Sequence, residues 1–240
     1  MCVIYIAFDA DRERPLAIAA NRDEFYSRPT AAAGFWEDHP NIYAGRDLVG
    51  GGTWFGVTRS GRFAAVTNYR DPNAPNGTRS RGHLVADFLK ADMPAGEYVK
   101  KTEAAAHEFS GFNLIAGEMN ERHRDLYYYS NHGSGIRKLS SGIYGLSNHL
   151  LDTPWPKVAR GKERFAALFA SGAGADEYFD LLKDEKLADD IDLPATGVGE
   201  EIERLLSAIF IRSPEYGTRS STVLLFDGNF EWTMEERVFV

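Results

Sequence analysis

The chain has 240 residues, 43% apolar and 26% charged, which is enough length and apolar content to bury a sizeable core. Its formal net charge of −8 argues against a general nucleic-acid binder, because phosphate binding needs a basic surface. A single cysteine excludes an intramolecular disulfide and a cysteine-based zinc site, and it fits a reducing, cytoplasmic location.

Residues 2–8 form an apolar run rich in β-branched and aromatic side chains, so a strand is expected there. The run is too short to cross a bilayer, has no basic leader and meets Asp9 at once, so it reads as a buried strand and not as a signal peptide. No other segment reads as a membrane span. Residues 9–15 are turn-like and residues 16–20 resume as a strand, making a hairpin. Residues 21–52 read as irregular, with Pro29 and Pro40, and end at Gly50-Gly51-Gly52. Residues 53–58 and 62–68 are strands around Ser60-Gly61, with Asn68 at the end of that hairpin. Residues 71–78, with two prolines and two asparagines, are a loop.

Helical periodicity covers residues 80–91 and 95–109, with Leu84, Val85, Phe88 and Leu89 on one apolar face. Strands are expected at 112–118, 125–129, 136–139 and 142–147, and helices at 155–170, 175–183 and 200–210. The acidic stretch 184–192 reads as a solvated connection. Strands at 222–227 and 230–238 close the chain around Gly228-Asn229. Strands and helices are segregated, which is not the alternation of a parallel βαβ fold. The expected class is α+β: a four-layer αββα sandwich of two antiparallel sheets flanked by helices, in one domain over residues 1–240.

Cys2 is the first residue to weigh for chemistry. Removal of methionine ahead of a small residue would put a thiol and a free α-amine on one residue. An α-amine titrates at about 7.7–8.0, so near neutral pH it can accept the thiol proton. Nucleophile and base would then share one side chain and its backbone. The bland alternative is a small apolar residue opening a core strand. The only cysteine nevertheless occupies the one position where this chemistry works.

Asn21-Arg22-Asp23-Glu24 ends the second predicted strand, and the hairpin returns it beside the N-terminus. A carboxylate there would hold an α-ammonium, and an arginine would favour the thiolate; the alternative is a charged strand end with weak surface pairs. Asn68 and Asn148 end predicted strands, where an uncharged amide suits an oxyanion or simply an Asx turn. Arg219, before an apolar strand, suits a carboxylate or phosphate, or an exposed loop. Gly50-Gly51-Gly52-Thr53-Trp54 would let a ligand approach the backbone, but it lacks the ending of a nucleotide-binding P-loop. His83, near Arg79 and Arg81, can face a ligand. The six histidines show no paired metal spacing, so no metal is expected.

Taken together these residues resemble the NRDE family, also called the transport-and-Golgi-organisation family. Met1-Cys2, the Asn21–Glu24 tetrad, Ala44-Gly45-Arg46-Asp47, Gly51-Gly52-Thr53-Trp54, Thr67-Asn68-Tyr69-Arg70, Ser80-Arg81-Gly82, Leu146-Ser147-Asn148 and Tyr216-Gly217-Thr218-Arg219-Ser220 carry the match. That family is similar to the cysteine N-terminal-nucleophile (Ntn) hydrolases acting on bile-salt and penicillin V amides, which are αββα sandwiches. The resemblance implies Cys2 as nucleophile, Asp23 positioning its amine, Arg22 tuning the thiol, Asn68 in the oxyanion hole, Asn148 orienting the reacting groups and Arg219 completing the network. Trp54, Tyr69, Arg81 and His83 are then candidates to line a substrate.

In those amidases two residues separate the arginine from the aspartate, whereas Arg22 and Asp23 are adjacent here. Strand neighbours point to opposite faces. Either the strand bulges, or Asn21 with Asp23, or Arg22 with Glu24, faces inward, or Asn21 and Glu24 replace the amidase pair. The leading expectation is hydrolysis of a linear non-peptide amide through a Cys2 thioester, with no cofactor. The rival is a carrier of haem or acyl-CoA on the same scaffold, with Cys2 or a histidine on the iron and arginines on the acidic groups.

Overall fold

The computed structural model describes residues 2–240, so the expected removal of residue 1 lies outside the described residues. In chain order the elements are β1 (Cys2–Phe8), β2 (Leu16–Phe25), β3 (Thr30–Phe35), β4 (Ile42–Asp47), β5 (Phe55–Thr58), β6 (Arg62–Asn68), α1 (Gly82–Lys90), α2 (Ala95–Ala104), β7 (Phe112–Met119), β8 (Arg124–Ser130), β9 (Arg137–Lys138), β10 (Gly142–Leu146), α3 (Pro156–Ala170), α4 (Ala175–Leu182), α5 (Glu200–Leu205), β11 (Tyr216–Phe226) and β12 (Trp232–Val238). Short 3-10 turns follow α2 at Ala106–Glu108 and precede α5 at Asp190–Asp192. The class is α+β, and all named strands pair antiparallel.

The chain forms two compact units. Among the described residues the first comprises residues 2–27, 70–73 and 141–240, the second residues 28–69 and 74–140. The first unit is a five-stranded sheet in the order β10-β1-β2-β11-β12, carrying α3, α4 and α5. Alternate residues Val3, Tyr5, Ala7, Ala17, Ala19 and Val223 pack on Phe165, Tyr178, Phe179, Leu181 and Leu182 of α3 and α4. The intervening residues Ile4, Ile6, Phe8 and Ile18 are also buried. This is why β1 reads as an unbroken apolar run and not as an alternation. The second unit is a seven-stranded sheet, β3 through β9 in sequence order, with α1 and α2. Leu84, Val85, Phe88 and Leu89 of α1 bury against Ala64, Val66, Leu114 and Ala116, as the helical period requires.

Several expectations need correction. Residues 21–52 are not irregular: β2 runs on to Phe25, and β3 and β4 follow. The tetrad Asn21–Glu24 therefore lies inside a central strand and not at its end. It is held there because Asn21 Nδ2 donates to the carbonyls of Leu182 and Ile209 (2.8 Å each), while Ser221 Oγ donates to Asn21 Oδ1 at 2.6 Å. β11 begins at Tyr216, six residues before the expected 222, by pairing with that same polar part of β2. The helix expected over 200–210 stops at Leu205, where Leu206–Phe210 turn into the core.

α3 starts in the favourable way, with extended Trp155 before Pro156 at the first helical position. Gly161 lets it sit close on β1. A Cβ there would lie 1.9 Å from the Tyr5 hydroxyl oxygen, and Tyr5 is fully buried, donating to the Lys157 carbonyl at 2.8 Å. Gly161→Ala is therefore expected to cost about 1–3 kcal/mol by overpacking, despite alanine's better helix propensity. Urea denaturation monitored by circular dichroism checks this: an unchanged midpoint would show that α3 can lift freely off the sheet.

Candidate active site

In the first unit the site is built at one end of the β1–β2 pair. Cys2 lies directly opposite Arg22, and Val3 opposite Asn21, in an unbroken register. Side chains directly opposite share a face, so Cys2 and Arg22 lie on one face and Asn21 and Asp23 on the other. Arg22 Nη2 stands 4.0 Å from Glu24 Oε2 on its own face. The bulge lies in β11 and not in β2, at Arg219, where the pairing steps from Thr218↔Asp23 to Ser220↔Arg22. Of the arrangements open from the sequence, β2 adopts the regular one, with Arg22 and Glu24 together and Asn21 and Asp23 together.

Asp23 is buried, and its Oδ1 accepts from Thr218 Oγ1 at 2.7 Å. Thr218 Oγ1 in turn accepts the Ile211 N–H at 2.9 Å. Burial pushes the Asp23 carboxyl above its usual range, opposed first by the nearby Lys157 and then by the Thr218 hydrogen bond and Arg22. The Cys2 residue keeps some exposed surface. Its thiol is nonetheless pushed up, by desolvation foremost and by the Asp23 charge, while a hydrogen bond from the Asp23 backbone N–H and the Arg22 charge draw it back. Burial thus favours the neutral thiol, so reaction there needs a proton acceptor.

β10 pairs with β1 as far as Ile4↔Leu146, which carries the next residues past Cys2. Ser147 Oγ donates to the Cys2 carbonyl at 2.9 Å and shares that proton with Asn148 Oδ1 at 3.2 Å, and Asn148 is fully buried. The Asn148 carbonyl accepts the Arg70 N–H at 2.7 Å. The Arg70 guanidinium pairs with the equally buried Glu203 and lies over the Trp155 ring, 4.6 Å from its centroid. Arg219 donates through Nη1 to the carbonyls of Phe25 (3.1 Å) and Tyr26 (2.9 Å), and through Nη2 to that of Val240 at 3.1 Å. It thus ties the end of β2 to the last residue.

Asn68, Trp54, Tyr69, Arg81 and His83 belong to the second unit. Asn68 ends β6, opposite Phe112. Trp54 packs on the core of that unit. Tyr69 stacks on His132, with centroids 4.1 Å apart and planes at 6°. Its N–H and Arg81 Nη1 both donate to the Gly111 carbonyl, at 2.9 and 3.0 Å. His83 Nε2 bonds the Gly50 carbonyl at 2.8 Å. The close approach expected at Gly50–Gly52 is made by the chain itself: a Cβ on Gly52 would lie 2.4 Å from the carbonyl carbon of Gly82. Glu118, His123 and Asp125 in this unit stand at metal-ligand spacing, but Glu118 already binds Arg62 and accepts the Ala95 N–H.

Three residues escaped the sequence reading: Thr218, bonded to Asp23, Lys157, whose charge acts on Asp23, and Glu203, paired with Arg70. Thr218 was legible only as part of a motif. Lys157 left a clearer signal, because a lysine in the first turn of a helix opposes the macrodipole.

The two helix-backed antiparallel sheets, and a buried polar cluster around a cysteine on the first strand, define a protein of the Ntn-hydrolase fold class. A solved structure of the Caenorhabditis elegans N-acylethanolamine-hydrolyzing acid amidase ortholog shares this fold over 100% of both chains, with a TM-score of 0.56 and 11% sequence identity. The chain belongs to the Transport and Golgi organisation 2 family, whose model matches residues 1–240. It is 40% identical over 257 residues to the Transport and Golgi organization protein 2 homolog of Bos taurus, covering 99% of this chain and 92% of that one. The Homo sapiens homolog is 38% identical over 255 residues, with the same coverage. Among the described residues no helix is long and apolar enough to cross a membrane.

Proposed function

We propose that this protein is a cysteine Ntn hydrolase of linear, non-peptide amides. The observation that supports this best is the pairing of Cys2 with Arg22, with the Asp23 N–H donated to its sulfur and the Asp23 side chain buried on the other face of the same strand. In a chain that starts at Cys2, the α-amine accepts the thiol proton and the sulfur attacks the amide carbonyl. The C–N bond breaks, the amine leaves with that proton, and water releases the acid from the thioester. Asp23 holds the α-ammonium, Arg22 favours the thiolate, and Asn148 orients the reacting groups. Arg219 braces the end of β2. An N-acylethanolamide is the first compound to test, since the structural relative named above hydrolyses one.

The test uses protein whose intact mass shows Cys2 as the first residue. Incubation with an N-acylethanolamide is expected to add one acyl mass at Cys2 and to release the amine. No adduct and no amine, from protein whose thiol still alkylates, rejects the proposal. Tight binding of haem or acyl-CoA in the same preparation, without turnover, would favour a carrier instead.

A further inference from the structure

The residues assigned so far leave one buried cation unused. Lys157 is 1% exposed, and its Nζ has no hydrogen-bond partner among the described residues. Desolvation normally forces such an ammonium to find a partner or become neutral. Lys157 is also the second residue of α3, whose first turn holds no acidic side chain, so the helix dipole adds to the cost. A position that breaks several local rules at once is a candidate for function. The charges it feels come from four other elements: Asp23 on β2 most strongly among its partners, Arg70 on the 70–73 segment, Cys2 on β1 and Glu203 on α5. Arg70 and Glu203 pair with each other. Arg22 also acts on Asp23, and the half-buried Tyr216 of β11 feels both Asp23 and Cys2.

We propose that Lys157 is a positioning residue of the Cys2 site, its ammonium holding the Asp23 carboxylate charged and keeping the Cys2 sulfur in a positive field. This rests on Cys2 being the reacting group. Burial lowers Lys157 to about 8, with Asp23 pulling it back up. The cation is therefore present below about pH 8, where it favours both carboxylate and thiolate. As pH rises through 8 it is lost. The thiolate fraction then climbs less steeply than a one-proton line.

The test is the alkylation rate of Cys2 by iodoacetamide between about pH 6 and 10, read by intact mass, with circular dichroism confirming that each protein is folded. The wild-type plot is expected to flatten near pH 8. Lys157→Met should displace the curve to higher pH, slowing labelling at neutral pH about tenfold, the equivalent of one unit of thiol pKa, and leave only the flattening that the Cys2 α-amine supplies as it titrates at about 7.7–8.0. Lys157→Arg, whose charge does not titrate in this range, should restore the rate while keeping only the flattening due to the α-amine. In an Asp23→Asn background the effect of Lys157→Met should shrink, because the two act together. A Lys157→Met profile identical to wild type overturns the proposal. If the variants do not fold, nitrogen-15 lysine resonances of the wild type decide: a side-chain amine titrating near pH 8 supports it, and none below about pH 9.5 overturns it. Alkylation needs no substrate, so failure to hydrolyse amides with the lysine effect intact would sink the hydrolase reading alone.

Discussion

Cys2→Ala is expected to lower amide turnover by at least ~10³-fold and to remove the acyl adduct, because it deletes the only group able to form the covalent intermediate. The same change should alter stability by less than about 1 kcal/mol, since Cys2 begins its strand and keeps some surface. That separation makes the experiment decisive: rates from purified protein are compared at matched folded fraction. Cys2→Ser should also be nearly inactive, because a hydroxyl is far harder to deprotonate than a thiol. Retention of full turnover by Cys2→Ala would move the chemistry elsewhere in the molecule.

Glu203→Ala is expected to cost about 3–5 kcal/mol, the usual penalty for stranding one member of a buried ion pair. Arg70 and Glu203 are each almost completely buried, and Glu203 also accepts the Thr196 N–H at 2.8 Å. Without it the Arg70 guanidinium would stay under protein with its main counter-charge gone. Burial already pushes that group down, and Glu203 is what raises it again. For a chain of this length the loss corresponds to a melting point about 10 °C lower. Arg70→Met combined with Glu203→Leu should recover most of it, since two apolar residues remove the desolvation penalty with the charges. Thermal melts of the single and double variants check both statements. A single variant that melts with wild type would show that water reaches the pair.

Where the hydrophobic period was strong, the elements were legible: β1, the β5–β6 hairpin, β7, β8 and α3 all lie where apolar spacing puts them. β3 and β4 were not. Thr30–Phe35 and Ile42–Asp47 are rich in alanine and glycine, so propensity is weak and pairing alone makes them strands. The polar half of β2 was missed for another reason. Asn21 and Asp23 look like loop residues until partners from Leu182, Ile209, Thr218 and Ser221 are supplied, all from late in the chain. The same long reach decided how much of the site could be read. Cys2, Arg22, Asp23 and Asn148 announced themselves through motif, and the hairpin brings the first three together. Which β2 residues share the cysteine's face depends on register, and Lys157 depends on how α3 docks, so neither could be read along the chain.

The central strands of the first sheet are made first and completed last. β1 and β2 emerge together, but their outer partners are β10 and β11, as in Ile4↔Leu146 and Ala20↔Thr222. A ribosome must therefore deliver the whole second unit before β10 can cover β1, and all the named helices as well before β11 can cover β2. Until then two apolar edges stand open, which is the geometry that recruits neighbouring chains. Such distant closure also slows folding. Cells short of chaperone capacity should consequently lose this protein to aggregation during synthesis rather than after maturation.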